Sequence, residues 1–177
     1  MRRARGRGAR TLVTLAYVSE AELWDTLTGA ELIQAIGDGR FPQVTDVSDY
    51  IGQRIVKAEP GRVELAWKPD AKLCNPGGTV HGGFIATILD NAVCLAAASL
   101  GDVFVPQLTL NLNIDYLRAV QVGASYSVVG TVTHAGRSRT VSAARLLDSD
   151  DVPCAVATAS VTGNQVFARA RKVIDGA

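Results

Sequence analysis

Between residues 82 and 100 the chain carries a helical pattern with almost no polar stripe: Phe84, Ile85, Ala86, Ile88, Leu89, Ala92, Val93, Leu95, Ala96, Ala97 and Ala98. A helix that is apolar nearly all round must be covered on most of its sides. A membrane is not the cover, because Asp90 and Asn91 interrupt the run and no apolar stretch is both long and clean enough to span one. The cover must come from the rest of the chain, and the rest of the chain reads mainly as strands. Residues 51–59 and 62–68 flank the tight-turn pair Pro60-Gly61. After the helix, Leu108, Leu110, Leu112, Ile114 and Tyr116 alternate with Thr109, Asn111, Asn113 and Asp115, a period-two strand signal. Further strands are expected over 122–133, 138–147 and 152–162, and four consecutive strands imply hairpins and an antiparallel meander. The expected fold is α+β, an antiparallel sheet wrapped around one long central helix.

A chain of 177 residues suits one domain with a substantial core. The expected organisation is a flexible arm over 1–18, peripheral N-terminal helices over 19–48, the sheet-and-helix domain over 49–164 and a loose tail over 165–177. Ser19 is the expected N-cap of a helix over 19–27, and a second helix runs from Gly29 to Ile36 before Gly37-Asp38-Gly39 stops it. The arm holds Arg2, Arg3, Arg5, Arg7 and Arg10, yet no aromatic residue interleaves with them and the formal net charge of the chain is only +1. Neither nucleic acid nor a membrane surface is therefore an expected partner. No small-residue cleavage site follows 12–18, so a signal peptide is not expected. Cys74, Cys94 and Cys154 are too few and too scattered for a disulfide framework, which suits the cytoplasm. With His81 and His134 the only histidines, a zinc site would need Cys74 and His81 plus distant partners, and no metal is expected.

Two features carry chemistry. Asp90 is the acidic residue inside the apolar helix, and a buried carboxylate costs several kcal/mol unless something pairs with it or uses it. Burial also makes such a group a usable base or nucleophile. The second feature is the helix start, Asn75-Pro76-Gly77-Gly78-Thr79-Val80-His81-Gly82-Gly83. Glycines let another molecule approach the backbone, and the free N–H groups favour the negative charge that a carbonyl under attack develops in its transition state. Gly82 and Asp90 lie eight residues, or about 12 Å, apart along a helix. One helix can hardly bring both to a single carbonyl, but a second, antiparallel copy can. If both act in one reaction, the protein is at least a dimer with two shared sites.

The stretch 75–83, followed by Ala86-Thr87-Ile88-Leu89-Asp90-Asn91-Ala92, resembles the signature of PaaI-like hotdog thioesterases, and the likeness extends over roughly 32–161. The resemblance implies a hotdog fold and hydrolysis of acyl-coenzyme A thioesters. It implies that Asn75 and the Gly82 N–H polarise the carbonyl, that His81 shapes the loop, and that Asp90 of the opposing subunit activates water or attacks directly. Thr109 would hydrogen-bond the water or Asp90. Gly83 and Phe84 would border the substrate, and Arg118, Arg137, Ser138 and Arg139 would approach the nucleotide or pantetheine. No cofactor is implied, coenzyme A being part of the substrate, and a homodimer or a tetramer built from two dimers is implied. Cys74, beside Asn75, has no assured basic partner to make it a nucleophile.

Other activities occur on this fold, since fold alone does not specify function. Hydratases pair a histidine with an acid, whereas His81 here belongs to the glycine turn. A non-catalytic acyl-coenzyme A binding or sensing domain would not need both Asn75 and Asp90. Phe84, Ile88 and the 102–106 loop are expected to line an apolar pocket fitted to medium-chain or aryl-acyl groups.

Overall fold

The computed structural model describes residues 24–42 and 46–166. The arginine arm, Ser19 and most of the tail lie outside the described residues, and of the first expected helix only residues 24–26 are seen as helical. Helix α1 (Gly29–Gly37) opens with a capping box in which Thr28 and Glu31 satisfy each other's backbone N–H groups. Its spacing puts Leu32, Ile33 and Ile36 on one face, and that face is buried in the main core. The helix is thus part of the core rather than peripheral. A short helix not expected from the sequence, α2 (Asp46–Ile51), takes the first residue of the predicted strand. Gly52, at φ +77°, then turns the chain into β1 (Gln53–Glu59).

Strand β2 (Arg62–Trp67) pairs with β1 through the Pro60-Gly61 turn. The apolar helix is α3 (Gly82–Ala98), followed by β3 (Gln107–Tyr116), β4 (Tyr126–Ala135), β5 (Thr140–Leu147) and β6 (Pro153–Gly163). All pairings are antiparallel, in the order β1-β2-β4-β5-β6-β3. The meander therefore holds for β4, β5 and β6 but not for β3, which pairs with β6 at the far edge. The physical reason lies in residues 117–125. Val122 and Ala124, read from sequence as strand, instead pack against the core in a connection too long for a tight hairpin. That connection carries the chain past two strand positions.

The sheet curls around α3, and residues of both edge strands, Gln53 and Ile55 from β1 and Gln107 from β3, line one cavity beside the helix. Close seating of helix on sheet requires Gly130 in β4, where a Cβ would collide with the Ala92 carbonyl. Ile88, Leu89, Ala92 and Val93 are fully buried against the strands.

Candidate active site

The loop before α3 is held by its own side chains. Asn75 Oδ1 accepts from Gly77 N–H (2.8 Å) and Thr79 N–H (3.3 Å), while its Nδ2 donates to Thr79 Oγ1 (3.0 Å). An amide NH2 has two donors, so one is without a partner among the described residues. His81 is the N-cap of α3, and its Nδ1 accepts from Gly83 N–H at 2.9 Å. An accepting Nδ1 places the neutral ring's proton on Nε2. The Phe84 N–H reaches the His81 carbonyl (2.9 Å), whereas the Gly82 N–H has no partner among the described residues. Tyr116 donates its hydroxyl to the Gly82 carbonyl (3.0 Å), and its ring lies where it would touch a Cβ at Gly82, steadying the peptide from the end of β3. The sequence reading treated Tyr116 as one more apolar strand position.

Along the helix, Asp90 is half-buried, and its Oδ1 accepts from Thr109 Oγ1 at 2.6 Å. No hydrogen bond reaches its Oδ2 among the described residues. Cys94, one turn further on, has its Sγ 3.4 Å from the same Thr109 oxygen. Since Thr109 gives its proton to Asp90, the thiol is the donor in that contact. Burial pushes the Cys94 thiol up to about 11, with the Asp90 charge adding to the shift. Thr109 faces the helix because β3 carries a bulge between Thr109 and Asn111. The extra residue breaks the strict alternation, so Thr109 shares the helix side with half-buried Leu112 and Ile114 while Leu108 and Leu110 are left exposed.

Gly82 and Asp90 thus stand at separate places in one subunit. Gly83 is exposed, and Phe84 is half-buried with its ring 6.3 Å from both His81 and Tyr50. Tyr50 sits on α2, which no motif announced. Arg137, Ser138 and Arg139 form the exposed β4–β5 turn, next to the row that runs Thr140, Val161, Thr109 across the sheet. Two strand spacings put this turn roughly 10 Å from Thr109. Arg118 lies at the other end of β3, and its Nη1 is paired with Asp148 at 2.8 Å. The sequence offered no sign of that pairing.

A cavity of about 220 Å³ opens between α1, α2, the two edge strands and α3, with Asn91, Cys94, Phe104 and Pro106 in its wall. From the 102–106 loop Phe104 and Pro106 line it; Phe84 does not, and Ile88 does not, since it is fully buried under the sheet. Among the described residues no three His, Cys, Asp or Glu side chains cluster as metal ligands, and no helix is long and apolar enough to cross a membrane.

Residues 77–155 match the family model described as the thioesterase superfamily. A Pseudomonas aeruginosa protein named for an inferred esterase activity is 32% identical over 99 residues, which span 55% of this chain and 74% of that one. The chain belongs to the thioesterase superfamily. Its hotdog fold is shared with the PaaI protein of the Escherichia coli phenylacetic acid degradation operon, at a TM-score of 0.67 and 17% identity over 76% of this chain and 95% of that one. A hypothetical thioesterase of Streptococcus pneumoniae, solved with coenzyme A, superimposes at a TM-score of 0.59 with 26% identity, over 63% of this chain and 88% of that one. Within this superfamily frame the segment from Gly77 through α3 to β6 carries Gly82, Asp90, Thr109 and the arginine turn.

Proposed function

We propose that this thioesterase-superfamily chain hydrolyses acyl-coenzyme A thioesters with medium-chain or aryl-acyl groups, in the cytoplasm and without a separate cofactor. The observation that carries the reading is the state of Asp90: one carboxylate oxygen held by Thr109, the other unbonded among the described residues, on a helix whose own Gly82 N–H, likewise without a partner among them, lies eight residues away. In a dimer with antiparallel α3 helices, Asp90 of one subunit stands beside the free Gly82 N–H and the spare Asn75 donor of the other. Those donors stabilise the oxygen as the carbonyl carbon becomes tetrahedral. Asp90 takes the proton of a water whose oxygen attacks that carbon, or attacks it directly and forms an anhydride that water then opens. In both routes the C–S bond breaks and the coenzyme leaves as a thiolate that regains a proton.

Support for the dimer comes from β3. Among the described residues it pairs on one side only, with β6, and it shows exposed Leu108 and Leu110 with neither proline nor lysine along its length. An unprotected edge of this kind is a template for a second copy. Arg118 and the turn of Arg137, Ser138 and Arg139 lie at opposite ends of one sheet, so antiparallel pairing draws one subunit's Arg118 toward the other's turn. Arginines there suit the phosphates of coenzyme A.

Subunit mixing tests the shared site. Asp90→Asn and Asn75→Ala are each made inactive in a thiol-release assay, then co-refolded. Random pairing gives one intact site in half of the dimers, so activity should return to about a quarter of the wild-type level. A mixture as dead as its components would refute the shared site. Full turnover by Asp90→Asn alone would refute the mechanism.

A further inference from the structure

The cavity beside α3 is mostly apolar, but one part of its wall is not. Gln53, the first residue of β1, is 4% exposed. Its Oε1 accepts from Asn91 Nδ2 at 2.7 Å. No other hydrogen bond reaches either amide among the described residues, and both residues line the cavity. Whichever way the two amides are turned, the pair keeps spare N–H donors and a carbonyl with a free lone pair. Asn91 is half-buried and the pair faces the open cavity, so water can satisfy these groups until an acyl chain displaces it; the chain must then supply the partners.

The position of this pair is informative. Asn91 follows Asp90 directly on the helix, and Cys94 of the same cavity wall touches the Thr109 hydroxyl that holds Asp90. Neither Asp90 nor Thr109 lines the cavity, but Cys94 brings its wall within one side chain of both, so in the proposed dimer the acyl chain of a thioester held at Asp90 would reach it and meet the amide pair. The cavity's volume of about 220 Å³ is below the roughly 300–1,000 Å³ usual for a whole drug-sized ligand, so it suits the acyl portion of the ester alone.

We infer that Gln53 and Asn91 recognise a hydroxyl group carried by the acyl chain a few atoms from the thioester. Among simple oxygen substituents a hydroxyl both accepts and donates, and so answers the spare N–H and the spare carbonyl together; a keto oxygen only accepts. A plain alkyl chain in the same place leaves both amides unsatisfied, which is the situation in which hydrogen-bonding sites discriminate most. The inference rests on the thioesterase reading above and names the acyl class within it.

The test compares kcat/KM for hexanoyl-coenzyme A and for both enantiomers of 3-hydroxyhexanoyl-coenzyme A. The wild type should favour one hydroxy ester over the plain ester at least tenfold. In Gln53→Met and in Asn91→Leu, each checked for folding by its melting curve, that ratio should fall to near one. Equal wild-type rates on the esters would remove the inference and leave thioester hydrolysis standing. A ratio that survives in whichever variant folds would remove it as well. Failure to cleave any of the esters would count against the underlying thioesterase reading.

Discussion

Thr109 Oγ1 donates a 2.6 Å hydrogen bond to Asp90 Oδ1, joining an edge strand to the central helix at the one acidic residue of that helix. The bond fixes the carboxylate and leaves its second oxygen without a hydrogen bond among the described residues. Thr109→Ser should keep most of the turnover. Thr109→Ala should lower kcat about tenfold, the ~1.4 kcal/mol at the low end for a hydrogen bond to a charged group. Asp90→Asn should cost a further factor, to roughly 10²–10⁴ in all. Steady-state thiol release with KM followed separately checks this. A Thr109→Ala enzyme as fast as wild type would show that the contact does not orient Asp90.

Leu110 is 54% exposed on the unpaired side of the sheet. A charge there should block pairing of β3 with a second copy. Leu110→Arg is expected to elute as a monomer in size-exclusion chromatography, to keep its circular dichroism spectrum and to lose thioester cleavage. A monomer that stays active would overturn the shared site.

Gly130 has no room for a methyl group, because the Ala92 carbonyl occupies the place of a Cβ. Gly130→Ala must push α3 off β4 and should lower stability by ~1–3 kcal/mol, as overpacked cores do. Urea unfolding measures it. An unchanged midpoint would mean that the helix shifts without penalty.

Burial raises the Cys94 thiol from 9.0 to about 11. Its thiolate fraction near pH 8 is therefore about a hundredfold lower than that of an ordinary cysteine, and alkylation by iodoacetamide should be slower in proportion. The sign for stability follows from proton binding. The folded protein holds this proton more tightly than the unfolded chain, so the contribution is complete below pH 9.0 and is lost as pH rises through about 11. Cys94→Ala should flatten the alkaline fall in stability over that window. Identical alkaline curves for the two proteins would contradict the raised value.

Some of this was legible in the residues. The 82–98 helix could be read because apolar residues on nearly every face leave burial as the only outcome. Asp90 stood out because a charge in such a helix is costly. The His81-Gly82-Gly83 start was recognisable because capping and free N–H groups are local properties of a helix end. Other features gave no local signal. Val122 and Ala124 look like strand, yet they serve as core packing in the connection that sends β3 to the far edge. The alternation from Leu108 to Tyr116 looks like one uniform face, but the bulge turns Thr109 to the helix and leaves Leu108 and Leu110 outside. Arg118 reads as a free phosphate ligand, while the fold sets it against Asp148, thirty residues on.

From its sequence alone the chain determined a covered helix, strands to cover it, and a helix start built for negative charge, since periodicity and capping act over a few residues. Only the tertiary structure decided which strand became the open edge, which hydroxyl reached Asp90, and that Gln53 would meet Asn91 in a cavity. Those are contacts between distant segments, set by how the sheet closes around the helix rather than by any neighbouring residue.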